Sequence, residues 1–134
     1  MMILDIDQFK LVNDHFGHDT GDEVMMIVAT LLSNYATPSI HVARLGGEEF
    51  ALVGNVLDLT PNLASTILED IQSAEMPHGE ELTASIGMAF GTLERVGDWS
   101  ELYGQADRAL YAAKADGRNR AFDFSTERDA LAIG

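Results

Sequence analysis

The sequence has 134 residues, of which 46% are hydrophobic. This length suits one domain with a single core, and this composition excludes wholesale disorder. The net charge of −14 excludes the broad basic surface that non-specific nucleic-acid binding uses, and it would repel anionic lipid headgroups. Cysteine is absent, which excludes disulfides and thiolate metal sites and is compatible with a reducing cytosol. We therefore expect a cytoplasmic domain that contacts neither nucleic acid nor a membrane.

The first third of the chain predicts a strand, a connection and a helix. Residues 1–6 are apolar except for Asp5, and Asp7 follows directly, which predicts a short buried strand that ends in acids. Residues 9–22 are polar and contain glycine, which predicts a connection. A helical period then begins at Glu23, with Asp22 placed as an N-cap or first-turn acid and Pro38 near the end. The apolar residues of that period are Val24, Ile27, Val28, Leu31, Leu32 and Tyr35.

A hairpin with an acidic tip is predicted next. Residues 41–45 and 48–53 flank Gly46-Gly47, a pair that permits the positive φ angles of a two-residue turn. Glu48 and Glu49 follow at once, and adjacent ionised carboxylates repel each other unless something positive binds them. A divalent metal is the obvious candidate, and it suggests a phosphate substrate.

The remainder of the chain predicts two helices and two strands. Thr60-Pro61 has the pattern of an N-cap followed by a first-turn proline, and residues 77–81 form a loop. Residues 82–91 predict a strand packed on one face, and residues 121–124 a final short strand. Gly117 is placed to end the last helix, residues 99–116. The inward residues of the two helices are Leu63, Ile67, Leu68 and Ile71, then Leu102, Ala106, Ala109, Leu110 and Ala113. This order predicts an α/β (α+β) fold with a mixed central sheet flanked by helices.

Two acids at the end of the first strand are candidate metal ligands. Asp5 and Asp7 are two residues apart, so on a strand they project to the same face. If this strand lies beside the hairpin, Asp5 and Glu48 can converge on one cation, and such hard oxygen ligands suit Mg²⁺ or Mn²⁺. The alternative is that the two aspartates only end a strand and cap a turn, which is the more frequent role of an isolated pair.

Several other polar residues admit both a binding role and a structural one. Asn13 and Asp22 have the donors and acceptors that read a guanine, but they also suit a turn and a helix cap. His18 can touch a ribose or brace its loop. Lys114 and Arg118 can reach a terminal phosphate, or they can complement the dipole at a helix C-terminus. Lys10 can bond a phosphate oxygen or be a solvated surface lysine.

Taken together, these segments resemble a GGDEF domain, the catalytic domain of diguanylate cyclases. The matching segments occur in family order and cover nearly the whole chain. They are Asp5-Ile6-Asp7-Gln8-Phe9-Lys10; Val12-Asn13-Asp14 with Gly17-His18 and Gly21-Asp22; Arg44-Leu45-Gly46-Gly47-Glu48-Glu49-Phe50; Ser85-Ile86-Gly87; Ala106-Asp107 with Ala109-Leu110-Tyr111; and Ala113-Lys114 with Gly117-Arg118-Asn119-Arg120. The resemblance implies the fold shared by class III nucleotidyl cyclases and polymerase palm domains.

The resemblance also implies a reaction and a role for each matched residue. Two GTP would condense into cyclic di-GMP with release of two pyrophosphates, at a site between two copies of the domain. Two Mg²⁺ (or Mn²⁺) ions per site would be held by Asp5, the backbone carbonyl of Ile6, and Glu48. The expected substrate-binding residues are Phe9 and His18 for the nucleotide, Asn13 and Asp22 for guanine, and Lys114 and Arg118 for the γ-phosphate. The expected catalytic residues are Glu48, Glu49 and Lys10, of which Lys10 would stabilise phosphate charge.

The sequence departs from the family pattern in two places. Family members carry a helix with a D-x-L-T-G-L-x-N-R segment before the first strand, whereas this sequence begins at the strand. We therefore expect residues 1–124 to form the catalytic domain without that helix, followed by a frayed tail at residues 125–134. Many members also carry an inhibitory R-x-x-D product site, but Thr37 and Ile40 occupy those positions here. We expect no feedback inhibition through that site.

Other functions remain open from the sequence alone. The main alternative is a catalytically silent GTP-binding module that regulates a partner. A nucleotidyl cyclase with a monocyclic product is also conceivable, although Asp22 and the hairpin favour the two-GTP reaction. A structural domain without a nucleotide would require the acids to be incidental. Family members usually belong to longer proteins, so a sensor or receiver domain is the expected partner.

Overall fold

The computed structural model describes residues 1–125, so the predicted frayed tail lies outside the described residues except for Ser125. Strands and helices follow one another in the predicted order, with one additional helix. The elements are β1 (Met2–Ile6), α1 (Phe9–Phe16), α2 (His18–Ser33), β2 (Ile40–Gly46), β3 (Glu49–Gly54), α3 (Pro61–Ser73), β4 (Ala84–Met88), α4 (Val96–Ala115) and β5 (Ala121–Asp123).

The five strands form one mixed sheet in the order β2-β3-β1-β4-β5. Only β4 and β5 are parallel, and the other three pairings are antiparallel. The central strand β1 pairs with both β3 and β4, and its residue Asp5 lies opposite Glu49 on one side and Ser85 on the other. This register confirms the predicted mixed sheet and places the first acid beside the hairpin.

Helices cover both faces of the sheet. On β1, Met2, Leu4 and Ile6 contribute to the core under α1, α2 and α3, whereas Ile3 contributes to a smaller core under α4. All five residues of β4 are buried, because a helix layer lies on each side, and the strand is shorter than the predicted residues 82–91. At Gly87 a Cβ would lie 2.0 Å from the carbonyl oxygen of Ala106, so the missing side chain lets α4 approach closely.

The predicted connection at residues 9–22 is helical instead. Phe9 and Val12 are buried at helical spacing and form the inner face of α1, a helix of only eight residues. Gly17, with φ of +89°, separates α1 from α2. The second helix therefore begins at His18 rather than Glu23, and Asp22 lies inside it instead of capping it. A short polar helix gives too few periods to stand out from a loop in the sequence.

The hairpin is confirmed, but its turn is displaced by one residue. Gly46 still pairs with Glu49, so the two turn residues are Gly47 and Glu48. An irregularity between Arg44 and Gly46 absorbs the shift, and Gly46 and Gly47 both have positive φ angles. The Arg44 guanidinium donates to the carbonyl oxygen of Gly47 at 2.7 and 3.0 Å. Arg44 on β2 therefore stabilises the turn.

The predicted helix ends are mostly confirmed. Thr60 accepts a hydrogen bond from the Leu63 amide at 3.1 Å, with proline in the first turn of α3. The last helix begins at Val96, three residues earlier than predicted, because Asp98 accepts hydrogen bonds from the backbone of the preceding loop. Gly117 has a φ of +124° directly after α4, as predicted for its terminator. Within residues 1–125, none of the helices has both the length and the apolar character that a membrane crossing requires.

Candidate functional site

The end of β1 and the tip of the β2–β3 hairpin bring two carboxylates together. The Ile6 amide donates to the carbonyl oxygen of Glu48 at 3.2 Å, and Asp5 pairs with Glu49 across the two strands. Partial burial raises the pKa of Glu48, and the nearby charge of Asp5 raises it further. Burial also raises the pKa of Asp5. Two partly desolvated carboxylates that repel each other require positive charge nearby.

Lys114 supplies that charge from the last turn of α4. Its Nζ lies 2.8 Å from Oδ1 of Asp5, and the two side chains are 28% and 15% exposed. This contact lowers the pKa of Asp5 and so opposes the effect of burial. The charges of Asp7 and Asp107 raise the same pKa further. In this arrangement Lys114 is the counter-ion of the candidate metal ligand rather than a free phosphate ligand.

The second hairpin carboxylate is tied to the same helix. Tyr103 on α4 donates its hydroxyl to Oε1 of Glu49 at 2.8 Å. This hydrogen bond raises the pKa of Tyr103 to about 12, with burial as the second cause. Tyr103 and Lys114 thus reach the sheet from one helix, and each holds one acid. The helix α4 therefore acts as a common support for both halves of the acidic site.

The donor set fits a metal that is held only partly by protein. Among residues 1–125 there is no cluster of three or more histidine, cysteine, aspartate or glutamate side chains that could enclose an ion. Asp5 and Glu48 nevertheless provide hard carboxylate oxygens, and Ile6 lies next to Glu48, to whose carbonyl oxygen its amide donates at 3.2 Å. Mg²⁺ is commonly bound by one or two carboxylates together with substrate phosphates. These residues therefore suit Mg²⁺ that arrives with a nucleotide, and not a closed protein cage.

The predicted base-reading residues meet where α1 and α2 pack together. At Gly21 a Cβ would lie 1.8 Å from Oδ1 of Asn13, so Asn13 can lie against α2 only because that residue is glycine. Asp22 is the next residue and is exposed. Phe9 is only 8% exposed and belongs to the main core, where its ring lies 3.3 Å from the position that a Cβ on Gly21 would take. Phe9 therefore supports Asn13 from the core, and His18 lies exposed at the start of α2.

The remaining predicted cations are exposed at the ends of two helices. Lys10 lies in the first turn of α1, four residues after Ile6, and Arg118 lies in the turn between α4 and β5. Within residues 1–125 neither side chain makes a hydrogen bond or an ion pair, and the same holds for His18. The structure therefore brings Asp5, Ile6, Glu48 and Lys114 into direct proximity, but it does not join Lys10, His18 or Arg118 to them by contact.

Asp7 has a different place from the one predicted. Its side chain is buried, and it accepts hydrogen bonds from Ser85 and Thr83 at 2.7 Å and from the Asn119 amide at 3.0 Å. Both carboxylate oxygens are thus engaged by protein donors. Of the two acids that the sequence offers as metal ligands, only Asp5 has a side chain near the hairpin acids.

Tyr103 and Asp107 are site neighbours that sequence reasoning missed. They lie at helical spacing with Lys114 on one face of α4, at intervals of four and seven residues. That spacing was readable in the sequence, but nothing in it showed that this face meets the hairpin.

A cavity of about 690 Å³ lies between α3 and β5 and is lined in part by Leu68, Gln72 and Phe122. None of the predicted site residues lines it.

Comparison with known proteins agrees with this geometry. A family model described as the GGDEF domain of diguanylate cyclases matches residues 1–120. Diguanylate cyclase DgcM of Escherichia coli is 39% identical over 122 residues, which is 90% of this chain and 29% of that protein. The chain spans 27% to 41% of the length of eight such curated relatives, some of them described as uncharacterized membrane proteins.

Two solved structures show the same fold. The active GGEEF domain of a diguanylate cyclase from Vibrio cholerae has a TM-score of 0.80 and 32% identity, covering 92% of this chain and 80% of that one. The GGDEF domain of DgcB from Caulobacter crescentus, solved with c-di-GMP, has a TM-score of 0.82 and 34% identity, covering 92% and 76%. With the family match over most of its length and the GGEEF hairpin in place, this chain belongs to the GGDEF domain family.

Proposed function

We propose that this chain is a diguanylate cyclase domain that condenses two GTP into cyclic di-GMP and releases two pyrophosphates. The observation that carries the proposal is the proximity of Asp5 and Glu48 at the end of β1, with Lys114 as their counter-charge. Such a site attracts Mg²⁺ bound to a nucleoside triphosphate, because the ion relieves the repulsion between the two acids. The cyclases among the relatives support the same reaction.

Guanine recognition is assigned to the corner between α1 and α2. The Asn13 amide can both donate and accept, and the Asp22 carboxylate accepts, which matches the donors and acceptors along one edge of guanine. Asn13 packs closely on Gly21, the residue before Asp22, which supports a shared role for the two side chains. His18 and Phe9 complete the nucleotide pocket, with Phe9 acting through the core. A site built to hydrogen-bond these groups discriminates against adenine, since adenine would leave them unpaired.

The phosphates are assigned to the positive groups around the acidic site. Because the chain carries a net charge of −14, a triphosphate must be held by a few placed cations. Lys10 stabilises charge on the phosphates, and Lys114 and Arg118 hold the γ-phosphate end. The first turn of α1 follows Ile6 closely, so its backbone amides add positive potential at the same place. Lys114 must exchange Asp5 for phosphate when the nucleotide and its ion arrive.

Asp5, the Ile6 carbonyl and Glu48 would hold two Mg²⁺ or Mn²⁺ ions per site. When bound, these ions would lower the pKa of the attacking 3′-hydroxyl and offset phosphate charge. The protein's own residues orient the reactants. Glu49, held by Tyr103, maintains the negative tip of the hairpin, and Lys10 faces the charge that develops on the phosphates. The bond between O3′ and the α-phosphorus forms as the bond to the pyrophosphate oxygen breaks, and the 3′-hydroxyl proton passes to solvent.

A second copy of the domain is part of the proposed reaction. One domain holds one GTP, so the 3′-hydroxyl and the α-phosphate that react come from GTP on facing domains. The matched relatives are much longer than this chain, which supports a sensor or receiver domain in the same parent protein. Because GTP is the substrate, we expect the catalytic site to face the cytoplasm.

The decisive experiment is incubation of the purified chain with GTP and Mg²⁺, with nucleotides separated by chromatography and identified by mass. The proposal predicts cyclic di-GMP and pyrophosphate in a ratio of one to two. Adenosine triphosphate should give no cyclic dinucleotide. Tight GTP binding without product at high protein concentration would instead favour a silent GTP-binding module, and a monocyclic product would favour a different nucleotidyl cyclase.

A further inference from the structure

The turn between α4 and β5, residues 116–120, has an unusual backbone. Arg118 has a φ of +64° and Asn119 a φ of +49°, directly after Gly117. Residues with a Cβ avoid this left-handed region unless the surroundings hold them there. Within residues 1–125 only one other non-glycine residue has a positive φ, and this is Gln8 at +54°. The turn that carries Arg118 therefore needs an external restraint.

Asp7 supplies that restraint from the turn after β1. It immediately precedes Gln8, and its Oδ2 accepts the Asn119 amide at 3.0 Å, across 112 residues of sequence. The carboxylate cannot rotate freely, because Ser85 donates to Oδ1 at 2.7 Å and Thr83 donates to Oδ2 at 2.7 Å. Asp7 is only 6% exposed. One buried side chain thus fastens the turn after β1 to the turn after α4.

The backbone around Arg118 is fixed while its side chain is not. Its amide donates to the Ala113 carbonyl oxygen at 3.0 Å, and its own carbonyl oxygen accepts the Arg120 guanidinium at 2.9 Å. The following amide is the one that Asp7 holds. The Arg118 side chain, in contrast, is exposed and makes no hydrogen bond or ion pair within residues 1–125. Such a residue is oriented by its backbone and is available to an external anion.

We propose that Asp7 is a positioning residue that holds Arg118 toward the terminal phosphate of the bound nucleotide. The inference rests on the proposed function, since it takes Arg118 as a phosphate ligand. Asp7 touches neither substrate nor ion in this role, and it acts through the Asn119 amide. Loss of its charge frees the turn, so the arginine loses its orientation and the triphosphate loses a bidentate partner. Contacts to the base and ribose are unaffected.

The experiment compares Asp7→Asn, Arg118→Ala and the double variant by calorimetry with Mg²⁺. The ligands are 3′-deoxy-GTP, which lacks the attacking hydroxyl and so is not turned over, and GMP, which lacks the terminal phosphates. We expect Asp7→Asn to weaken 3′-deoxy-GTP binding about tenfold, or about 1.4 kcal/mol, and to leave GMP binding unchanged. Arg118→Ala should do the same. Because both changes act on one contact, the double variant should lose no more than Arg118→Ala alone.

A matched control is available at the other end of α4. Asp98 also holds a loop by accepting backbone amides, from Glu94 at 2.8 Å and Arg95 at 2.9 Å. Asp98→Asn should leave the ratio of 3′-deoxy-GTP to GMP affinity at the wild-type value. Amide exchange provides a readout without any nucleotide, since the Asn119 amide should lose its protection in Asp7→Asn and keep it in Asp98→Asn.

Four results would overturn the inference. Two of them are a ratio of 3′-deoxy-GTP to GMP affinity that stays unchanged in Asp7→Asn or in Arg118→Ala. The third is a loss of 3′-deoxy-GTP affinity in the double variant that equals the sum of the single losses. The fourth is a loss of that affinity in Asp98→Asn as large as in Asp7→Asn. If Asp7→Asn does not fold, Ser85→Ala replaces it, because it frees Oδ1 and should give a smaller loss in the same direction. An unchanged ratio in Ser85→Ala counts against the inference. Failure of the wild-type chain to prefer 3′-deoxy-GTP over GMP would refute the proposed function itself.

Discussion

The ammonium of Lys114 lies 2.8 Å from Oδ1 of Asp5, although the two residues are 109 positions apart in the sequence. The contact joins the end of α4 to the end of β1. It places the cation that we assign to the terminal phosphate on the carboxylate that we assign to the metal. Under the proposed function, Mg²⁺ that arrives with a nucleotide would release Lys114 from Asp5 and leave it free to bind phosphate.

This relationship predicts how Lys114→Met responds to Mg²⁺. Without nucleotide, the variant leaves Asp5 and Glu48 without their counter-charge, so we expect a loss of about 1 kcal/mol in the free energy of unfolding. Added Mg²⁺ then competes with no lysine, so the rise in melting temperature on adding it should be larger than in the wild type. Differential scanning fluorimetry over a Mg²⁺ series measures both effects.

The control for Lys114→Met is Arg108→Met, which removes an exposed cation from the same helix. Within residues 1–125 the Arg108 side chain makes no ion pair. Its loss changes the net charge equally but leaves Asp5 paired. A rise in melting temperature with Mg²⁺ that is the same in Lys114→Met and in Arg108→Met would contradict the proposed competition.

Glu48→Gln tests the metal site directly. The amide keeps the shape of the side chain but removes the charge that attracts the ion. We expect cyclic di-GMP formation to fall at least about a hundredfold, because the ion supplies several kcal/mol of transition-state stabilisation. The fold should be retained, since the side chain is only partly buried and its charge is unfavourable there. Product is measured by chromatography, with circular dichroism as the check on folding.

Glu69→Gln is the matched control for Glu48→Gln, because Glu69 lies exposed on α3 away from the hairpin. It makes the same chemical change and should keep wild-type turnover. A Glu48→Gln variant with near wild-type turnover would refute the assignment of Glu48 to the metal.

Tyr103→Phe tests whether α4 orients the second hairpin acid. The variant removes the hydroxyl that donates to Glu49 at 2.8 Å and preserves the ring. A hydrogen bond to a carboxylate on a partly exposed side chain contributes about 1 kcal/mol, so we expect kcat to fall about fivefold while KM for GTP changes little. Steady-state kinetics separates the two parameters.

Tyr111→Phe provides the control for Tyr103→Phe. Tyr111 lies on the same helix, is 76% exposed and makes no side-chain hydrogen bond within residues 1–125. Its hydroxyl should be dispensable. If both variants slow the reaction equally, the effect comes from the surface of α4 and not from the bond to Glu49.

The sequence predicted the sheet and the hairpin well because their signals are local. Short apolar runs, a Gly-Gly pair and the Thr60-Pro61 cap each act within a few residues. The prediction of α1 failed for the same reason. Its eight residues bury only Phe9 and Val12, so most of the stability of this helix comes from packing against α2 and not from its own pattern.

Some residues of the site could be predicted from the sequence, but Tyr103, Asp107 and the contacts across the fold could not. Asp5 and Glu48 could be paired from the sequence because adjacent strands bring them together. The contacts of Lys114 with Asp5 and of Asp7 with Asn119 could not, since both cross more than a hundred residues and depend on the path of α4 over the sheet. Such contacts arise only when the tertiary packing is known.

The residues at the positions of the common inhibitory product site predict that the product does not inhibit the reaction there. Thr37 and Ile40 form a tight backbone bridge, with amide–carbonyl distances of 3.1 and 3.2 Å, and Ile40 is 7% exposed. Neither residue offers a charge to a cyclic dinucleotide. We therefore expect initial rates to be unchanged by added cyclic di-GMP at micromolar concentration. Inhibition in that range, measured as pyrophosphate release, would contradict this prediction.

The requirement for a facing copy predicts how the rate depends on protein concentration. If each domain holds one GTP, product forms only in a complex of two, so at low concentration the rate should rise with the square of the protein concentration. An inactive subunit should then inhibit the wild-type protein by pairing with it. Excess Glu48→Gln protein is expected to lower the activity of a fixed amount of wild type, because mixed pairs contain one impaired site. Equal activity per mole across a hundredfold dilution series, in samples that light scattering shows to be monomeric, would show that one chain suffices.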